Sequence, residues 1–374
     1  MSSFAKFKER LDKASIKAGI PTKNGPPEFF IDTGNYVLNK IISGSYLKGW
    51  AQGRLGAIGG PSGSGKSFLI ANAIKAAQEQ GCAIFLLDSE NALDTAYLEA
   101  VGVDTEADNF MYRSVVTIEQ AVAELSRFTK EYRADGMTDR VFIALDSLDM
   151  LMTNSQVETY AKGETKGDQG QEVKQLKSML KTWVQDIKTL PFIIVCAKQV
   201  YQEQDRIAKL VEPYVFTDGI RFAFSQIFMI TKLMLKTEDV DGIKKKEKQA
   251  EKYAGITMKA RGFKTRLTKP FQQAKIQVPW DSGMDRFSGL LEVAEAVGIV
   301  VKNGSWYYLG EEKFQKGTFA NYREEVLKLL IEREGDLAKD DFIEVEIEEE
   351  EAPPEGLSID DRIAEKLKKL ATKV

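Results

Sequence analysis

Residues 54–80 read RLGAIGGPSGSGKSFLIANAIKAAQEQ. A short apolar run breaks into a turn of glycine, proline and serine, and beyond it apolar residues recur at helical spacing. The turn, Gly60-Pro61-Ser62-Gly63-Ser64-Gly65-Lys66-Ser67, fits G-x-x-x-x-G-K-[ST] without a mismatch and stands between strand and helix, as that motif requires. Its glycines let the backbone curl until N–H groups converge on phosphate oxygens, and the helix start behind adds positive potential. Lys66 has the reach for the outer phosphates of ATP, and the Ser67 hydroxyl is a hard-oxygen ligand for Mg2+.

Downstream, CAIFLLD, VFIALDS and PFIIVCAKQ are continuous apolar runs, interleaved with AYLEAVG, IEQAVAELSRFTKEYRADG and VKQLKSMLKTWVQDIKTL at helical spacing. Short buried strands alternating with amphipathic helices predict an α/β fold, a mostly parallel, twisted sheet covered on both faces around a P-loop NTPase core. After residue 220 the rhythm changes. FAFSQIFMITKLMLK, GITMKARGF and AKIQVPWD read as antiparallel strands at one edge, and DRFSGLLEVAEAVGIVV with SWYYLG as a small helix–strand unit. Upstream, residues 3–17 place Phe4, Phe7, Leu11 and Ile16 on one side of a short basic helix, ended by Gly19 and Pro21. Such a helix packs on its own domain or docks on a neighbouring subunit. The expected division is 1–30 for helix and linker, 31–310 for the core, and 311–374 for a short C-terminal region. Residues 332–361 carry fourteen acidic and two basic residues, the composition of a solvated, disordered tail.

The chain has 374 residues, two cysteines and no histidine. Without imidazole there is no Ser-His-Asp triad and no His-ligated metal, and two cysteines cannot hold a structural zinc. Cys82 and Cys196 lie in separate apolar runs, as buried free thiols of a reducing compartment do. No apolar run reaches the ~18–20 residues of a membrane span, and the opening residues lack a signal-peptide core. A soluble cytoplasmic protein is expected, in the host cytoplasm if its origin is viral.

VFIALD ends in Asp146. An acid at the carboxyl end of a buried parallel strand either holds Mg2+ through water or caps the segment that follows. At the end of AIFLLDSE two acids compete to activate the water that attacks the γ-phosphate: Glu90, and Asp88, which lies closer to the buried run. Gln199 ends FIIVCAKQ, where its amide either reports the γ-phosphate to the next segment or is a plain strand-end polar group.

IDTGNYVLNKIISG before the turn, LDSENALDTAYLEAVGVD after it, and KTRLTKPFQQAKIQVPWDSGMDRFSGLLEVAEAVGIVVKNGSWYYLG near the end resemble RecA-type recombinases. The likeness covers roughly residues 30–310, with phage UvsX-like recombinases the nearest flavour. It implies a RecA-like core and a DNA-dependent ATPase that forms helical filaments on single-stranded DNA and exchanges strands with homologous duplex DNA. It also implies site residues: Glu90 as the catalytic glutamate, Asp94 and Tyr97 at the adenine, and Gln199 as the γ-phosphate switch. Lys264 and Arg266 would cross the subunit seam to a neighbour's ATP. With Lys66 these complete the implied catalytic set, and Ser67 and Asp146 are the implied Mg2+ ligands. Arg266 stands where bacterial RecA has lysine, and its delocalised fork also stabilises transferring phosphate.

The resemblance places DNA-binding loops after the Asp146 and Gln199 strands, at about 153–170 and 200–219. Lys162, Lys166, Arg206 and Lys209 are the candidate phosphate contacts, Tyr201 and Phe216 candidate stacking rings, and Arg221 a further cation; each is equally readable as solvated surface. Relatives usually carry a glycine pair near the end of the second loop, where this chain has Gly219 alone. Recognition should be independent of base sequence, since nothing reads as a major-groove helix. The basic run KKKEKQAEK (244–252) is a solvated hairpin tip or a second, duplex-binding surface. Mediator and single-strand-binding proteins are candidate partners, and the acidic tail could compete with DNA or recruit a mediator. Two other readings share the P-loop: a RecA-like ring helicase or repair motor, and an ATP-gated DNA-binding assembly protein that exchanges no strands.

Overall fold

The computed structural model describes residues 2–18, 25–164, 170–202, 214–216, 218–236 and 253–334. In chain order its first elements are α1 (Ser3–Lys17), β1 (Phe30–Ile31), α2 (Tyr36–Ser43), β2 (Trp50–Ala51), β3 (Leu55–Gly60), α3 (Lys66–Glu79), β4 (Ala83–Asp88), α4 (Thr95–Val101) and β5 (Phe110–Ser114). There follow α5 (Ile118–Ala134), β6 (Val141–Asp146), α6 (Asn154–Ala161), α7 (Gln171–Ile187), β7 (Phe192–Gln199), β8 (Tyr201–Gln202), β9 (Tyr214–Val215), β10 (Gln226–Lys236), β11 (Tyr253–Thr265) and β12 (Gln273–Pro279).

One eight-stranded sheet runs β12-β11-β10-β3-β7-β6-β4-β5. The apolar runs are continuous because both faces of this sheet are covered. Ile84 and Leu86 of β4 belong to one buried cluster with Ile70 and Ile74 of α3; Phe85 and Leu87 belong to the other, with Leu125 of α5 and Leu180 and Trp183 of α7. Each such side chain taken fully out of water contributes about 1.5–3 kcal/mol. Helix α5 starts at a capping box in which Thr117 and Gln120 satisfy each other's backbone N–H groups.

Two expectations need revision. The strand read from FAFSQIFMITKLMLK is not wholly an antiparallel edge: Gln226–Met229 of β10 pair in parallel with Gly56–Gly59 of β3, and only its other side runs antiparallel, to β11. Its first residues are buried on both sides, so they extend the parallel core before the direction reverses. The candidate loop at 153–170 is not simply a loop: it begins with the two-turn helix α6, nucleated by a Thr153–Gln156 capping box. Within 311–334, Phe314, Val326, Leu327 and Leu330 pack in the α3-side core. The acidic tail beyond residue 334 and the basic run 244–252 lie outside the described residues. Helix α1 has no buried residue, and Phe4 is 71% exposed.

Candidate active site

Parallel pairing brings sequence-distant groups to one edge of the sheet. Gly60 pairs with Gln199, Leu145 with Cys196, and Asp88 with Asp146, so the carboxyl ends of β3, β7, β6 and β4 lie side by side. Ligands of open α/β sheets bind along this edge.

The phosphate turn has the shape its glycines require. Gly63 and Gly65 hold φ of 67° and 99°, the left-handed region that side chains avoid. At Gly60 the constraint is space: a Cβ there would meet the Ile230 carbonyl at 2.7 Å and the Ser64 hydroxyl closer still. The Lys66 ammonium folds back to donate to the Gly60 and Pro61 carbonyls, at 3.1 and 3.0 Å. Burial lowers its pKa, and the nearby charges of Glu90, Asp146 and Asp149 oppose that shift. The buried Ser64 hydroxyl has no partner. A curled backbone, a retractable cation and an unpartnered hydroxyl suit a triphosphate. Lys232 of β10, which the sequence reading did not single out, brings its ammonium within 3.0 Å of where a Cβ at Gly63 would stand. Its approach follows from the β10–β3 pairing, which no local motif announces.

Asp146 is 0% exposed, and neither oxygen finds a partner of full hydrogen-bond geometry. Burial pushes its pKa up to about 6; the Ser67 hydroxyl lies close enough to oppose this, while Glu90 and Asp88 reinforce it. A buried carboxylate left without a donor, next to a hydroxyl, is a hard-oxygen pair fit for Mg2+. Among the described residues no group of three or more acids, cysteines or histidines is arranged to hold a metal ion by itself. Two protein oxygens are enough when phosphate and water complete the shell.

The two competing acids separate clearly. Asp88 is spent on structure: one oxygen accepts from the Glu90 and Asn91 N–H groups at 3.0 and 2.8 Å, the other from the Tyr112 hydroxyl at 3.1 Å. Glu90 is exposed at the edge, its backbone held by that turn. Asp94 caps α4, accepting from the Tyr97 N–H at 2.7 Å, and Tyr97 lies half-buried against the core. Trp280, which the sequence reading did not single out, follows β12, the outermost strand on the far side of β3 from β4, and is exposed.

Lys264 and Arg266 lie elsewhere. Lys264 pairs with Ile227, at the level of Ala57 in β3, and β11 then leaves past the amino end of β3. Arg266 lines a cleft with Gly53, Arg54 and Leu55. This pair is therefore at the opposite edge from the phosphate turn of its own chain. Lys264 donates to the Arg221 carbonyl at 2.9 Å, and burial, Arg266 and Arg221 together lower its pKa. Arg221, just beyond the second candidate loop, thus joins this cationic cluster. Phe222, 70% exposed, lies under Arg221 and Lys264.

Among the candidate DNA contacts, Lys162 is exposed where α6 ends, and Tyr201 is exposed on β8, which pairs antiparallel with β9. Phe216 is a correction: it is 2% exposed, packed on Phe224 and Phe263, so it belongs to the core and not to a stacking surface. Lys166, Arg206 and Lys209 lie outside the described residues. No helix among the described residues is long and apolar enough to cross a membrane.

The family model of the RecA N-terminal domain matches residues 27–285. Protein RecA of Clostridioides difficile (strain 630) is 26% identical over 306 residues, which cover 80% of this chain and 78% of the relative. Protein RecA of Aquifex pyrophilus is 27% identical, covering 81% and 78%. The DNA repair protein recA homolog 1, chloroplastic, of Arabidopsis thaliana is 26% identical, covering 72% and 57%. With the phosphate turn, the parallel edge and this span of similarity in agreement, the chain belongs to the RecA family of DNA-dependent ATPases.

Proposed function

We propose that the protein polymerises as a helical filament on single-stranded DNA, with ATP held at the seam between copies, and pairs the bound strand with homologous duplex. The observation that carries this is the separation of charges. Lys66, Ser67, Asp146, Glu90 and Gln199 gather at the carboxyl edge, while Lys264 and Arg266 stand at the amino edge of the same sheet. One chain cannot bring both sets to one phosphate, but the next copy in a head-to-tail stack can, and such a contact propagates when its rotation does not close. Helix α1, with its apolar side uncovered, is suited to docking on that next copy.

In this reading the backbone of 60–65 cradles the phosphates, Lys66 swings from its carbonyls onto the outer ones, and Tyr97 stacks on the base beside Asp94. Ser67 and Asp146 would hold Mg2+, which neutralises phosphate charge when bound. The Glu90 carboxylate takes the proton of the attacking water, and the trans cations stabilise charge on the transferring group. Gln199, at the root of the second DNA segment, passes the presence of the γ-phosphate to that segment, so ATP and DNA raise each other's affinity. Lys162 and Tyr201 meet the strand, and the setting is the cytoplasm, with mediator and single-strand-binding proteins as partners.

ATP turnover with and without single-stranded DNA, followed by strand exchange on homologous and unrelated duplexes, tests the proposal. DNA-stimulated turnover with exchange confined to homologous DNA is expected. Turnover indifferent to DNA, or rings in place of filaments in micrographs, overturns it.

A further inference from the structure

The single turn of 3-10 helix Leu148–Met150 follows Asp146 and Ser147, and the side chain of its central residue, Asp149, accepts hydrogen bonds from the end of β7. One Asp149 oxygen accepts from the Lys198 ammonium and the other from the backbone N–H of Gln199. Both side chains of the ion pair are largely buried, Lys198 at 7% and Asp149 at 15% exposure. Beyond this turn the chain is pinned by Met152, hydrogen-bonded to Val116 and Ile118, and then enters α6. Beyond Gln199, Val200 donates to the Gly60 carbonyl at 3.2 Å, and β8 begins. Asp149 therefore joins the roots of the two segments that follow Asp146 and Gln199. The pair also stands close enough to the phosphate turn for both of its charges to act on Lys66.

A buried ion pair is a poor source of stability, because desolvation offsets most of its attraction. What this one supplies is a fixed geometry between two strand ends. We propose that Asp149 is a positioning residue: through Lys198 and the Gln199 N–H it locks the two segment roots into one unit, so that a shift of Gln199 on contact with γ-phosphate moves both. The inference rests on the reading of Gln199 as the γ-phosphate switch, and it names an element that this reading lacked, the link from that switch back to α6.

The test compares ATP turnover with and without single-stranded DNA in Asp149→Ala, Lys198→Met, the double variant and Gln199→Ala. Asp149→Ala removes both links and should cut the DNA stimulation ratio about tenfold, the size of an ordinary coupling between sites, while DNA-free turnover persists. Lys198→Met keeps the Gln199 link and should lose less. Asp149→Ala alone leaves a buried unpaired ammonium, so the double variant, which buries no charge, gives the readout should the single one unfold; its ratio should fall as far. A merely structural role would lower turnover with and without DNA in parallel and leave the ratio intact. If Gln199→Ala abolishes stimulation while the double variant keeps it, the positioning role is overturned and the switch stands. If Gln199→Ala also keeps it, the switch itself is overturned, and the link with it.

Discussion

The choice between Asp88 and Glu90 turns on what their carboxylates already hold. Asp88 accepts three hydrogen bonds, two of which shape the turn after β4, and Glu90 is left exposed with its side chain free to meet a water. Glu90→Gln should therefore bind ATP nearly as well as the parent but hydrolyse it about 100-fold more slowly, as loss of a general base does. Nucleotide binding by fluorescence and phosphate release on one preparation check this, and normal turnover would return the role to another group. Asp88→Asn should behave differently, lowering the melting temperature and nucleotide affinity together, because its loss unravels the turn. Phe216 gives a third case. Packed between Phe224 and Phe263, its truncation to Ala should cost about 3–5 kcal/mol of stability in denaturant titration. A stacking residue on a DNA surface would show a loss of DNA affinity at constant stability instead.

At the scale of elements, strands buried on both faces were legible because continuous apolar runs bounded by turn residues have few other readings. Pairing partners were not legible: nothing in FAFSQIFMITKLMLK tells that Gln226 lies beside Gly56, so neither the parallel start of β10 nor the approach of Lys232 to the phosphate turn could be foreseen. Phe216 is an aromatic in a polar stretch, and its burial depends on Phe224, just before β10, and on Phe263 of β11, far along the chain. Arg221 is readable from the sequence only as a further cation just beyond the second candidate loop, and the return of the chain to the amino edge, which sets it beside Lys264, is not legible there. That cluster has a testable cost. Burial, then Arg266 and Arg221, hold the Lys264 ammonium below its ordinary pKa. The unfolded chain titrates at the ordinary value, so between the two values it binds more protons than the folded one. Stability therefore rises as pH rises through that window, and at neutral pH the full cost of the charged lysine is present. Lys264→Gln, which keeps an N–H donor, should raise the melting temperature of the nucleotide-free protomer by about 2 °C at low salt, with a smaller gain at high salt. An unchanged or lower melting temperature at low salt would show that the cluster carries no such cost.

At the scale of the whole molecule, the proposed filament makes the two ends of the sheet complementary halves of one chemistry, and mixed subunits test that proposal. A Lys66→Ala subunit retains the cations of its amino edge, and a Lys264→Ala/Arg266→Ala subunit retains its phosphate turn. Each alone should form filaments poorly and turn over little ATP, since every seam lacks one half. In an equal mixture assembling at random, about a quarter of the seams join an intact turn to an intact cationic pair. Turnover should accordingly reappear in the mixture on single-stranded DNA, peak near equal proportions, and vanish on dilution below the assembly concentration, since the restored site exists only between copies. The peak is the informative feature: a contaminating active protein would scale with the amount of one component, whereas a shared site follows the product of both. Two silent variants that stay silent at every ratio, while each still binds DNA, would mean that Lys264 and Arg266 complete no neighbour's site. The opposition of the two edges would then be a property of the fold alone.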